Sequence, residues 1–206
     1  MVENNLKTEL IPGVIIDEET LQSAVLIPIV NIDCKDQLLF EVRSSNLPDQ
    51  PGDVCFPGGI IEPSEIPKDA AIRETCEELC INKQQIELLG PTLVLCTSSL
   101  VMYPYVAKLK DYKGTFSKDE TSEVFTVPID FFINTEPEKY KIDWSVNLPD
   151  NFPYERINGG KNYKWRKHKQ TELFYNYNGR TIWGLTARVI YNAFVKHAAD
   201  AYGLDK

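Results

Sequence analysis

The stretch Phe56-Pro57-Gly58-Gly59-Ile60-Ile61-Glu62-Pro63-Ser64-Glu65-Ile66-Pro67-Lys68-Asp69-Ala70-Ala71-Ile72-Arg73-Glu74-Thr75-Cys76-Glu77-Glu78-Leu79-Cys80-Ile81 decides how the rest of the chain is read. A glycine-rich loop leads into a segment, Lys68 to Leu79, that contains neither glycine nor proline. Pro67 suits the first position of a helix, where its missing N–H is not needed. Ser64 or Glu65 would cap or charge the helix start. Ile72, Thr75, Cys76 and Leu79 recur at helical spacing and give one largely apolar face. Glu74, Glu77 and Glu78 share another face, and Arg73 stands four residues before Glu77, within reach of an ion pair.

Three carboxylates on one helical face repel each other by about 0.2–0.5 kcal/mol per exposed pair. Two readings are open. The face is simply solvated, or a divalent cation neutralises it. Oxygen-only donors suit Mg²⁺ or Mn²⁺ rather than zinc. Gly58-Gly59 would let a backbone carbonyl, that of Gly58, approach the same ion.

Spacing separates these readings. Gly59, Glu65, Arg73, Glu74, Glu77 and Glu78 follow G-x5-E-x7-R-E-U-x-E-E-x-G-U, where U is aliphatic. This resembles the signature box of the Nudix hydrolases. Two positions depart from it: Thr75 stands at an aliphatic position, and Cys80 where glycine normally ends the helix. A left-handed residue there favours glycine or asparagine, and cysteine would cost on the order of 1 kcal/mol. Asn82 is the alternative candidate for that turn.

The resemblance implies an α/β fold, the Nudix α/β/α sandwich, with a mixed sheet between helices. It also implies metal-assisted attack of water on a diphosphate, with Mg²⁺ or Mn²⁺ as cofactor. Glu74 and Glu78 are the first metal ligands expected, with Glu77 and the Gly58 carbonyl beside them. Arg73 would hold a glutamate, either Glu77 or Glu65. The base is Glu74 or Glu120. Glu120 belongs to a later loop that often completes the site in this family, and Glu123 is second choice there.

Upstream, Leu39-Phe40-Glu41-Val42-Arg43-Ser44, then Gly52, then Phe56-Pro57-Gly58-Gly59, resembles a second motif, that of the coenzyme A diphosphatase branch. The motif's threonine falls on Glu41 and its second arginine on Pro48. Ile182-Trp183-Gly184-Leu185-Thr186-Ala187 resembles that branch's C-terminal motif. The substrate implied is a small nucleotide, coenzyme A or an acyl derivative, with Arg43, Ser44 and Gly59 at the binding site. A guanidinium fork fits a phosphate well; the plain alternative for Arg43 is a loop arginine paired with a nearby acid. ADP-ribose, NADH and dinucleoside polyphosphates share the box. A Nudix-fold binding module without turnover is the rival from another class.

The remaining sequence sets bounds. The 206 residues are expected to form one domain, with a core at about 24–195 and an elaborated loop region at about 136–169. A net charge of −8 argues against a nucleic-acid or polybasic membrane binder. No apolar run reaches membrane-spanning length, and neither a signal peptide nor a peroxisomal address is expected. Five cysteines without C-x-x-C spacing point to reduced, mostly buried thiols and a cytoplasmic protein. A homodimer is left open.

Strands are expected at Ala24–Val30, Leu38–Val42, Leu88–Leu95 and Tyr103–Leu109, with a loop at Asp33–Asp36. Asp17 to Ser23 reads as a short helix or turn. Phe125 to Ile133, including Val127-Pro128-Ile129, resembles the family's strand and turn into a short helix. Asn178-Gly179 should close a hairpin. A last helix is expected at about Thr186 to Tyr202, with His197 on its surface and His168 in a loop.

Overall fold

The computed structural model describes residues 19–196. The first strand, β1 (Leu21–Ile32), is buried on both faces over its middle. Such burial requires cover on each side. Val25, Ile27 and Ile29 enter one apolar cluster, while Ala24, Leu26 and Val30 point to the other side. This is the period of two of an extended chain.

A tight turn leads to β2 (Lys35–Arg43). Asp33 and Cys34 both take positive φ, 51° and 62°, so the expected four-residue loop contracts to a two-residue hairpin turn. Then come β3 (Val54–Cys55), β4 (Gly58–Ile60), α1 (Pro67–Glu78), β5 (Ile86–Pro91), β6 (Leu95–Cys96), β7 (Leu100–Leu109), β8 (Thr121–Pro128) and α2 (Ile129–Asn134). The chain continues through β9 (Glu138–Trp144), β10 (His168–Tyr177), β11 (Arg180–Trp183) and α3 (Gly184–Ile190), which runs on as a π-helical turn to Lys196.

Strands β1 to β8 form one mixed sheet around the order β3-β2-β1-β7-β5. Only the β1–β7 pairing is parallel. Helix α1 covers one face through Leu79 against Leu26 and Leu39, and through Ala70 and Ala71 against Ala24. Phe132 of α2, and Ala187, Val189 and Ile190 of α3, cover the other. The architecture is that of an α/β/α sandwich. A second antiparallel sheet, β11-β10-β9, adds Leu173, Tyr175 and Ile182 to that same cluster.

Several expectations need correction. Leu21 to Ser23 belong to β1 rather than to a helix or turn, and Asp17 lies outside the described residues. Part of the supposed loop region 136–169 is strand β9, and His168 opens β10. The expected strand at Leu88–Leu95 is β5, set earlier, and the separate short β6. The C-terminal helix begins at Gly184, and His197 lies outside the described residues. Cys34, Cys80 and Cys96 are exposed rather than buried, and all five cysteines are free. Cys34 and Cys80 are exposed because each occupies a left-handed turn position at the end of an element.

Helix α1 carries Pro67 in its first turn, as its sequence requires, but Ile66 precedes it without a side-chain cap. Neither Ser64 nor Glu65 caps it; Ser64 is itself a turn residue with φ of 71°. At the far end Cys80, not Asn82, adopts the left-handed conformation, with φ of 52°. The Ile81 N–H reaches the Cys76 carbonyl at 3.1 Å and the Cys80 N–H reaches that of Glu77 at 3.4 Å. These are the paired bonds of a Schellman ending. Cysteine therefore bears a strain that glycine would not. Replacing Cys80 with glycine should stabilise the fold by about 1 kcal/mol, read as a higher denaturation midpoint at unchanged slope.

Candidate functional site

Helix α1 lies close enough to β4 for side chains of its second half to meet the Gly58-Gly59 backbone. The Gly58 N–H donates to Glu78 Oε2 at 2.7 Å. A Cβ on Gly58 would stand 2.3 Å from the Ala24 carbonyl oxygen, and one on Gly59 would stand 2.4 Å from the Glu74 carboxyl carbon. Both glycines are thus required by close approach, the first to the neighbouring strand and the second to a carboxylate.

Arg73 gathers the acidic side chains. Its Nε and Nη2 donate to the two oxygens of Glu65, each at 3.0 Å, as a bidentate pair. Its Nη1 donates to Glu74 Oε1 at 2.7 Å and lies 3.6 Å from Glu77 Oε2. So Arg73 takes Glu65 as its main partner and touches Glu74 and Glu77 as well. The guanidinium holds the Glu65 carboxyl below its usual range. Glu77 is the outermost of the three helix carboxylates, its side chain 59% exposed.

Glu78 is buried, and so is Glu41, which reaches the same region from β2. Along β2 the residues Leu39, Glu41 and Arg43 alternate onto one face, and Leu39 packs with Leu79, the residue that caps the end of α1. Burial, and then the charge of Glu41, push the Glu78 carboxyl up to about 9. Burial, and then the charge of Glu120, push Glu41 up to about 8. Burial likewise raises Glu74, against the pull of Arg73. Beside Glu41, across the β2–β3 pairing, the Cys55 thiol is held protonated by burial and by Glu41 and Glu78.

The loop before β8 is tied to the end of α1. The Ser117 N–H donates to the Glu78 carbonyl at 2.7 Å and the Thr115 hydroxyl to that of Leu79 at 2.6 Å. These satisfy carbonyls that a helix end leaves free. The same loop places Glu120 where its charge falls on Glu41, Glu74 and Glu78. The Ser44 N–H donates to the Glu120 carbonyl at 2.8 Å, so Ser44, itself buried, joins this loop to the end of β2. Glu123 is taken by Arg180, whose guanidinium also lies over the Phe125 ring.

Arg43 points elsewhere than to a nearby acid. Its Nε and Nη2 both donate to the Asp49 carbonyl at 3.1 Å, which braces the loop after β2. Thr75, in an aliphatic position of the box, is fully buried and donates to the Ala71 carbonyl at 2.6 Å, one turn back. The structure therefore brings Glu74, Glu77, Glu78, Arg73, Gly58, Gly59 and Glu120 to one end of α1. It adds Glu41, which reading the motif passed over as a departure. The signal was a carboxylate directly after the apolar run Leu38-Leu39-Phe40, within a strand that is buried there.

The donor set fits a hard divalent cation: carboxylate oxygens, one of them the orphaned, buried Oε1 of Glu41. Among the described residues no three acidic, histidine or cysteine side chains already converge on a single point. Glu74 is turned to Arg73 and Glu78 to the Gly58 N–H, so a cation would have to draw them in.

The model of the NUDIX domain matches residues 20–144. Nudix hydrolase 3 of Caenorhabditis elegans is 27% identical over 192 residues, covering 88% of this chain and 75% of that protein. An uncharacterized Nudix hydrolase of Photorhabdus laumondii is 30% identical over 181 residues, 85% of this chain and 84% of the other. A peroxisomal coenzyme A diphosphatase of Mus musculus is 34% identical over 116 residues, covering 55% of this chain. The match spans 49% of that mouse protein's length.

Two tests follow from the glycines and the buried acids. Gly59→Ala meets only the movable end of Glu74, so it should leave stability within about 1 kcal/mol of wild type while lowering turnover at least tenfold. Gly58→Ala meets backbone and should cost more than about 2 kcal/mol. Because burial raises Glu41 and Glu78 in the fold, the native state binds more protons than the unfolded chain above pH 4.5. With chelator present, the stability from this pair is complete below that pH, falls as pH rises, and is gone above about pH 9. Melting at pH 6 and pH 9 should show that decline, and Glu41→Gln should flatten it.

Proposed function

The chain belongs to the Nudix hydrolases, enzymes that act on diphosphate bonds of nucleoside derivatives, and from that premise we propose that it cleaves coenzyme A or acyl-coenzyme A. The products would be 3′,5′-ADP and (acyl-)phosphopantetheine. The observation that carries the site is the placing of Glu74 and Glu78 on α1 beside the Glu120 loop, with Glu74 held by one arginine and Glu78 by the Gly58 N–H. The substrate choice is supported by Arg43-Ser44, Gly52 and Phe56-Pro57-Gly58-Gly59 at the spacing of the coenzyme A branch, and by the partial match to the mouse enzyme. The described stretch would act as one catalytic domain.

Glu74 and Glu78 would hold Mg²⁺ or Mn²⁺, with Glu77 and the Gly58 carbonyl available beside them. Such a cation, when bound, offsets phosphate charge and acidifies a water. Arg73 keeps Glu74 from turning to solvent, and its bidentate hold on Glu65 keeps the guanidinium in place. Glu74 already accepts a short bond from Arg73, so Glu120, exposed on its loop, is the better candidate to take a proton from the attacking water. Ser44 would help by fixing the Glu120 backbone. Arg43 would order the loop beside the substrate through Asp49, and would have to release that carbonyl to reach a phosphate.

Incubation with coenzyme A, ADP-ribose and NADH in Mn²⁺, with products identified by mass, tests the substrate. Coenzyme A should be turned over at least tenfold faster than the others; preference for another would overturn the assignment. Glu78→Gln should keep the acceptor for Gly58, fold normally, and lose turnover by orders of magnitude. An unaltered rate would remove Glu78 from the site.

A further inference from the structure

Glu41 is the acid that the signature box does not explain. It is 2% exposed, and its Oε1 has no hydrogen-bond partner. A buried carboxylate without a partner is costly, and its usual remedies are a cation or a proton. No lysine or arginine among the described residues forms an ion pair with it. Arg43, two positions along the same face, spends its fork on the Asp49 carbonyl. The other neighbours are acids or near-acids: Glu78 from the helix, Glu120 from the loop, Cys55 across the strand pair. Thr121, whose hydroxyl can reach the carboxylate, supplies no charge.

The position also departs from the pattern of the coenzyme A branch, in which threonine stands here. Threonine would leave one fewer charge under α1 and no orphaned oxygen. The chain has instead placed a further carboxylate in the buried layer that holds Glu78.

We propose that Glu41 is a ligand of the divalent-cation site, approaching from strand β2 while Glu78 approaches from helix α1. The proposal rests on the metal-dependent hydrolase reading and adds to it a residue outside the box. A ligand on the sheet would fix the cation at the seam between α1 and β2, rather than on the exposed flank where Glu77 lies. The extra negative charge would also tighten the hold on the cation in the absence of substrate.

The test is direct binding without turnover. Mn²⁺ is titrated into wild type, Glu41→Gln, Glu41→Thr and Glu78→Gln, with free Mn²⁺ read by electron paramagnetic resonance and melting followed with and without the ion. Both Glu41 variants should bind Mn²⁺ at least about tenfold more weakly and lose most of the Mn²⁺-induced rise in Tm. Glutamine keeps the volume and threonine the branch's own residue, so two routes to a folded variant exist. If both Glu41 variants bind as wild type does while Glu78→Gln does not, Glu41 is only a buried neutral acid and the hydrolase reading stands without it. A wild-type protein that binds no Mn²⁺ overturns both readings.

Discussion

The hydrogen bond from the Gly58 N–H to Glu78 closes a loop of 20 residues and sets the geometry of everything around it. It needs the helix to lie nearly on the backbone of β4. Three small residues allow that: Ala24 on the sheet, and Ala70 and Ala71 on the helix, all fully buried. Gly58 and Gly59 allow it from the loop side, since a methyl group on either would strike a carbonyl or a carboxylate. Packing and chemistry are thus the same constraint. A larger residue in any of these positions would lift α1 and carry its carboxylates away from the sheet.

The electrostatic balance is set short of neutrality. Arg73 serves Glu65, Glu74 and Glu77 together, while Glu78 and Glu41 form no ion pair among the described residues. A structural ion-pair network would be expected to match its buried charges, because an unmatched one is costly. This cluster leaves its two most buried acids unpaired and pairs the less buried ones. That inversion is what a site for a mobile cation needs: its outer acids held in order by a fixed guanidinium, its inner acids unsatisfied until the ion arrives. The Glu120 loop follows the same logic. It is anchored through the Ser117 N–H and the Thr115 hydroxyl to the free carbonyls at the end of α1, which leaves the Glu120 side chain unconstrained.

Much of this was legible in the residues. Helix α1 announced itself through Pro67, an uninterrupted run, and apolar positions at helical spacing. The candidate site, Arg73 with Glu74, Glu77 and Glu78, follows from the spacing of its charges. The failures have local physical causes. Asn82 is the alternative that residue type offers for the left-handed turn, but the Schellman bonds count from the last helical residue, so position 80 must adopt that conformation whatever occupies it. Strand β9 was hidden because it is exposed along its whole length, although Tyr140, Ile142 and Trp144 do alternate with Lys139, Lys141 and Asp143. Burial, the usual source of a strand's signal, is absent there. Arg43 was read by its charge, and the contact it makes is to a main-chain carbonyl, which leaves no trace in a pattern of side chains.

The three departures from the family patterns closest to the site can be sorted by whether their surroundings absorb them. Thr75 is absorbed: its hydroxyl is buried, but it is satisfied one turn back on Ala71. Cys80 is absorbed at a cost in backbone strain, with its side chain in solvent and both helix-ending bonds made. Glu41 is not absorbed. Its Oε1 is buried and unpartnered, and its charge works against Glu78. A polar substitution that a fold tolerates for structural reasons acquires partners, as Thr75 has. One that stays unsatisfied at the seam of helix and sheet, among carboxylates that a cation would relieve, marks where the fold stops compensating and the chemistry begins.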